Sequence, residues 1–118
     1  MKIVALVQAR MGSTRLPGKV LRSVVGRSMI GLLLARLSQS SELDEIVVAA
    51  SEELKNDKLQ LVVESLGYRC TRGSEKDVLN RFYESAKSVG ADVIVRITGD
   101  CPLVDFGLVD ECIQRYKN

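Results

Sequence analysis

Histidine is absent from this chain of 118 residues. That removes the commonest general base and the commonest transition-metal ligand, so any chemistry must come from Asp, Glu, Lys, Arg and backbone groups. The three cysteines, Cys70, Cys101 and Cys112, are odd in number and include no CxxC pair. This suits a reducing compartment better than a disulfide framework and leaves no readable zinc site. Cys70 and Cys112 read as packing residues, whereas Cys101, directly after Asp100, is left open as a residue lining a site. Long apolar runs are also missing. The run Ile3 to Val7 stops at Gln8 and Arg10, too soon for a secretory signal, and Met29 to Ala35 is too short to cross a bilayer. The expectation is a cytoplasmic protein with no membrane partner.

Acids are absent from the first 41 residues, which nevertheless carry Lys2, Arg10, Arg15, Lys19, Arg22, Arg27 and Arg36. The rest of the chain holds ten basic and fifteen acidic residues. A net charge of +2 is too small for a surface that binds nucleic acid, but the segregation favours a visit by a small anion to the first segment. Arg27 and Arg36 read as surface charges, and Arg22 stays open as a phosphate ligand.

What is present is one domain's worth of chain, 46% apolar, with strand and helix signals in alternation. Ile3 to Val7, Glu45 to Ala50 and Asp92 to Ile97 are β-branched runs suited to buried parallel strands, with a weaker strand at Tyr68 to Thr71. Leu59, Val62, Val63 and Leu66 share one helical face before Gly67. Val78, Leu79, Phe82, Tyr83, Ala86 and Val89 do the same before Gly90, with Ser74 and Asp77 as a start resembling a capping box. Ile30 to Leu37 and Phe106 to Tyr116 complete four helices, the last with Asp105 as its expected N-cap. The pattern predicts an α/β fold, a mostly parallel sheet with crossover helices.

Ligands of such sheets bind at the carboxyl ends of the strands, so the loops there carry the functional reading. The first, Gln8 to Lys19, offers Arg10, Arg15 and Lys19 to a polyphosphate, Gly12 and Gly18 for close backbone approach, and Ser13 or Thr14 as hydroxyl donors. It does not reproduce the spacing of a P-loop, and an ordinary basic surface loop is the plain alternative. The second, Thr98 to Pro102, sets Asp100 on a tight turn, where it fits a Mg²⁺ ligand or a turn residue equally. Together the two loops match the needs of nucleotidyl transfer: a phosphate cradle facing a metal carboxylate. Arg96 sits in an apolar strand and, if buried, needs a carboxylate partner.

The sequence Gln8-Ala9-Arg10-x-x-Ser13-x-Arg15-Leu16-Pro17-Gly18-Lys19-x-Leu21 resembles the signature loop of CMP-Kdo synthetases, acylneuraminate cytidylyltransferases and the spore-coat polysaccharide biosynthesis protein F group. The stretches Arg72 to Phe82 and Arg96 to Leu103 are similar to the last of these. The resemblance implies a three-layer α/β/α sandwich of the nucleotide-diphospho-sugar transferase (Rossmann-like) fold. It also implies transfer of CMP from CTP to a sugar or sugar acid with release of pyrophosphate. It places Arg10, Arg15 and Lys19 on the phosphates, with Arg10, Lys19 and Asp100 as the catalytic set and Asp100 on Mg²⁺. Ala9, Gly12 and Ser13 would hold the nucleotide by backbone and hydroxyl, and Arg72 and Asp77 would lie along base and ribose. Pairing into a homodimer stays open. The chain departs from the Kdo-type pattern at Gln8 and Cys101. It is also about half the expected length, so residues 1–118 are read as the CTP-binding part, with the sugar-binding half expected beyond Asn118. The alternatives are a nucleotide-binding fragment without turnover and a glycosyltransferase of related fold, although the latter usually needs two neighbouring acids.

Overall fold

The computed structural model describes residues 1–8, 23–24, 27–98 and 106–117. The elements run β1 (Ile3–Gln8), β2 (Ser23–Val24), β3 (Arg27–Ser28), α1 (Met29–Leu37), β4 (Glu45–Ser51), α2 (Asp57–Ser65), β5 (Arg69–Gly73), α3 (Val78–Val89), β6 (Val93–Thr98) and α4 (Phe106–Lys117). All four anticipated strands and four anticipated helices are present. The short β2–β3 ribbon and a 3₁₀ turn at Leu54–Asn56 carry no hydrophobic period and were not foreseen.

The sheet is parallel, in the order β5-β4-β1-β6. From β1 the chain steps outward through β4 to β5, then returns to the other side of β1 for β6. Crossovers keep one hand, so reversing the direction of travel moves the connecting helix to the opposite face. The two cores show this. Ile30, Leu33, Leu34 and Leu37 of α1, Leu59 and Val63 of α2, and Val109 and Ile113 of α4 pack on the side of Ile3, Val7 and Val48. Phe82, Ala86 and Val89 of α3 pack on the side of Val4, Leu6, Val47 and Ala49. Strands covered on both faces are apolar at every position, which is why β1 has no polar alternation.

Local signals decide the helix ends. Gly67 and Gly90 adopt positive φ, +91° and +70°, where an L side chain is strained. At the start of α3 the arrangement differs from a capping box. Asp77 is itself the N-cap, accepting from the Asn80 backbone N–H at 3.0 Å, while the Ser74 hydroxyl accepts from the Asp77 N–H at 3.0 Å. Ser74 thus shapes the approach to the helix, and Asp77 closes it.

The amino edge of the sheet is tied by acids. Asp44 accepts from the Ile3 backbone N–H and Asp92 from the Lys2 backbone N–H, each at 2.7 Å. Lys2 and Arg69 meet Glu45 at 2.9 and 3.2 Å. Lys2 therefore belongs to a structural ion-pair cluster at the amino edge of the sheet.

Candidate functional site

At the opposite edge the strands end at Gln8, Ser51, Gly73 and Thr98. The order of strands reverses between β1 and β6, and such a switch point opens a crevice at the carboxyl ends. Gln8 and Thr98 are register partners. The segment that continues from Gln8 and the segment that continues from Thr98 thus leave from neighbouring strands, about 5 Å apart. Ala9, Arg10, Gly12, Ser13, Arg15 and Lys19 on the first, and Asp100 on the second, lie outside the described residues.

Arg96 strengthens this junction. Its side chain is exposed, donates from Nη2 to Gln8 Oε1 at 2.9 Å and lies 4.8 Å over the Phe82 ring. The anticipated carboxylate partner is not needed, because an exposed guanidinium keeps its hydration and an aromatic face supports it. The basic residue in an apolar strand was the visible signal; its link to Gln8 depends on the β1–β6 pairing and was not.

The two described candidates sit at the end of β5 and the start of α3. The Arg72 guanidinium is engaged by every nitrogen: Nε donates to Ser51 O at 2.5 Å, Nη2 to Glu53 O at 2.7 Å, and Nη1 to Gln60 Oε1 at 2.8 Å, with Asp57 Oδ1 at 3.0 Å. Asn56, buried, donates from Nδ2 to Ser51 Oγ at 2.6 Å. Arg72 and Asn56 thereby clamp the loop after β4 against β5, a role with no period or motif to betray it in the sequence. A contact from Arg72 to a nucleotide would require these bonds to be exchanged, and the Asp77 carboxylate caps α3. Gly73 makes room beside them, since a Cβ there would meet Arg81 Cγ at 2.9 Å. Arg81 is buried and donates from Nη1 to Ser74 O at 3.2 Å. Ser51 and Asn56 are polar residues of this edge that sequence reasoning overlooked, and Arg81 entered it only as part of the Arg72 to Phe82 stretch, without a role.

The cysteines divide. Cys70 is buried, and burial pushes its thiol up to about 11, far from a thiolate at neutral pH. Cys112 is exposed, against the expectation of a packing role, because Val109 and Ile113 take the inner face of α4. Cys101 and Asp105 lie outside the described residues. Among the described residues no group of three His, Cys, Asp or Glu could hold a metal, and no helix is long and apolar enough to cross a membrane.

Residues 4–118 match the family described as cytidylyltransferase. The spore coat polysaccharide biosynthesis protein SpsF of Bacillus subtilis is 42% identical over 118 residues, covering 97% of this chain and 49% of that protein. A solved cytidylyltransferase from Leptospira borgpetersenii superposes with a TM-score of 0.93 at 40% identity, over 98% of this chain and 48% of the other. The structure of a CMP:2-keto-3-deoxy-manno-octonic acid synthetase complexed with CTP gives a TM-score of 0.87 at 28% identity, over 99% and 48%. The chain spans about half the length of the relatives it matches. With its sheet, its switch point and a family match over nearly its whole length, the chain belongs to the cytidylyltransferases, nucleotidyltransferases of the Rossmann-like nucleotide-sugar transferase fold.

Proposed function

We propose that this chain is the CTP-binding part of a cytoplasmic enzyme that transfers CMP to a sugar or sugar acid and releases pyrophosphate, for a surface or spore-coat polysaccharide. The observation that carries the reading is the register pair Gln8 and Thr98 at the switch point, the residues that directly precede in sequence the basic segment and the segment holding Asp100. Family membership supports the reaction type, and the CTP complex of a similar synthetase supports the nucleotide and a sugar-acid acceptor.

In this reading Arg10, Arg15 and Lys19 neutralise the triphosphate, Gly12 and Ser13 present backbone and hydroxyl donors, and Ala9 lies against the nucleoside. Asp100 would hold Mg²⁺, which when bound offsets charge on the phosphates and on the departing pyrophosphate. Attack by a sugar hydroxyl on the α-phosphorus in line with the leaving group needs positioning and electrostatic stabilisation, and no histidine base. Arg72, which clamps the loop after β4 against β5, and Asp77, the N-cap of α3, would lie along the base and ribose.

Calorimetry with CTP, UTP, ATP and GTP in the presence of Mg²⁺, paired with a pyrophosphate-release assay on candidate sugar acids, tests the proposal. Preferential CTP binding and CTP-dependent release are expected. Asp100→Asn should retain the fold and lose the Mg²⁺ dependence of CTP binding. Binding that keeps its metal dependence in that variant, with lowered thermal stability, would return Asp100 to a turn role. CTP binding without release for any acceptor would reduce the claim to a nucleotide-binding module.

A further inference from the structure

Arg81 is buried, 2% exposed, on the inner side of α3, beside Phe82, Ala86 and Val89. Packing alone does not call for a guanidinium there, because an apolar side chain of similar length fills the same volume without the cost of desolvating a charge. The Arg81 stem runs across Gly73, the last residue of β5: a Cβ at Gly73 would stand 2.9 Å from Arg81 Cγ and 3.3 Å from Arg81 Cβ. Its head reaches the carboxyl end of the sheet, where Nη1 donates to Ser74 O at 3.2 Å. One turn further along α3, the buried Ser85 shares a hydrogen bond of 2.7 Å with Thr71 of β5. Arg81 and Ser85, four residues apart, thus meet β5 and the loop after it with polar groups, while Phe82, Ala86 and Val89 meet Val4, Leu6, Val47 and Ala49 with apolar ones. Apolar contact is non-directional and lets a helix slide, whereas directed hydrogen bonds fix its height along a strand.

We propose that Arg81 is a positioning residue for nucleotide selection, fixing the segment Gly73 to Asp77 at the height where it meets the base. The inference rests on the reading of this chain as CTP-binding. Ser74 is held at two points: its carbonyl accepts from Arg81 and its hydroxyl from the Asp77 N–H at 3.0 Å. Asp77 is held in turn by α3, since its carboxylate accepts from the Asn80 N–H and its carbonyl from the Arg81 N–H, each at 3.0 Å. Gly73 O accepts from the Glu52 N–H at 2.7 Å, so a displacement of this segment passes to the loop after β4. Cytosine differs from uracil by an amine in place of a carbonyl and by an unprotonated ring nitrogen beside it. Telling the two apart requires donors and acceptors held to within about 0.5 Å, which a segment tied from beneath by a buried guanidinium provides. Arg81 acts through Ser74 in this scheme and touches neither base nor phosphate.

Calorimetry with CTP and UTP in the presence of Mg²⁺, together with hydrogen exchange in the absence of nucleotide, tests it. Arg81→Met keeps the stem and removes the guanidinium. Exchange should quicken at the amides of Ser74 to Asp77 and stay slow along β1. CTP affinity should fall on the order of tenfold, and the preference for CTP over UTP should shrink with it. A residue that only held the fold together would lower both affinities alike. Gly73→Ala retains the charge but pushes its stem aside, so it should produce the same loss of preference, and it carries the test if Arg81→Met does not fold. Arg81→Ala removes the Cγ that a Cβ at Gly73 would meet, so the double variant Gly73→Ala/Arg81→Ala should bind CTP about as Arg81→Ala does. A folded Arg81→Met with the affinity and preference of the wild type, equal losses for CTP and UTP, or additive losses in the double variant overturns the inference and leaves the CTP reading standing. A wild-type chain that does not prefer CTP to UTP overturns that reading, and the inference with it.

Discussion

Cys70 and Cys112 differ by environment alone, and their reactivity should follow. Burial raises the Cys70 thiol to about 11, whereas Cys112 lies on the exposed side of α4. A thiol reagent at neutral pH should modify Cys112 in the native protein and reach Cys70 only after denaturation, as read by mass spectrometry of labelled peptides. Equal labelling of both in the native state would mean that β5 opens readily. Lys19 carries its charge in a segment without a single acid. Lys19→Ala removes a charged donor, so CTP affinity should fall by about 1.5 to 3 kcal/mol in calorimetry. A folded variant with unchanged affinity would remove the loop from the site.

Elements of this fold are held at their ends by single polar side chains. Asp77 closes α3, so Asp77→Ala should lower stability by about 1 kcal/mol, with Asp77→Asn close to wild type, in urea unfolding. A loss of CTP affinity in Asp77→Asn at unchanged stability would instead point to contact with the nucleotide. Asp110 of α4 ties down the turn after α1. It accepts from the Ser40 hydroxyl, from Ser41 N–H and Oγ at 3.1 and 3.2 Å, and from the Glu42 N–H at 3.4 Å. Desolvation raises its carboxyl, but the bonds from Ser40, Ser41 and Glu42 outweigh that and hold it below the usual aspartate range. A depressed value contributes stability above the unfolded-state pKa, and that contribution disappears as pH falls through the folded one. The stability gap between wild type and Asp110→Asn should therefore be steady near neutrality and close below about pH 4 in denaturant titrations. A gap that persists to lower pH would assign the effect to packing.

Taken whole, the chain has a radius of gyration of 13.6 Å, matching the roughly 13.5 Å expected for a folded unit of this length. Both faces of the central strands are covered, so a ligand that binds only the folded state should raise the unfolding temperature. CTP with Mg²⁺ at a hundredfold excess over its dissociation constant adds about 2.7 kcal/mol, or about 10 °C for a chain of this size. Scanning fluorimetry with the four nucleotides checks this, and equal shifts for all four would deny a preference for cytosine.

The sequence by itself determined the parallel α/β class, because strands buried on both faces must be apolar throughout and amphipathic helices must keep their period. It also marked Gly67 and Gly90 as stops, since positive φ favours glycine, and it carried the family through the Gln8 to Lys19 loop. Strand order was left to the tertiary structure, as β6 could have followed β5 at the far edge; its return beside β1 creates the switch point and the Gln8 and Thr98 pairing. Tertiary contact also decided individual side chains. Lys2 went to the amino edge with Glu45, Arg72 into a clamp on the loop after β4, and Arg96 onto Phe82 and Gln8. The physical reason is common to all three: a charged group's role depends on which distant carbonyl, carboxylate or ring the sheet brings within about 3 to 5 Å of it, and residue spacing along one chain segment carries no record of that.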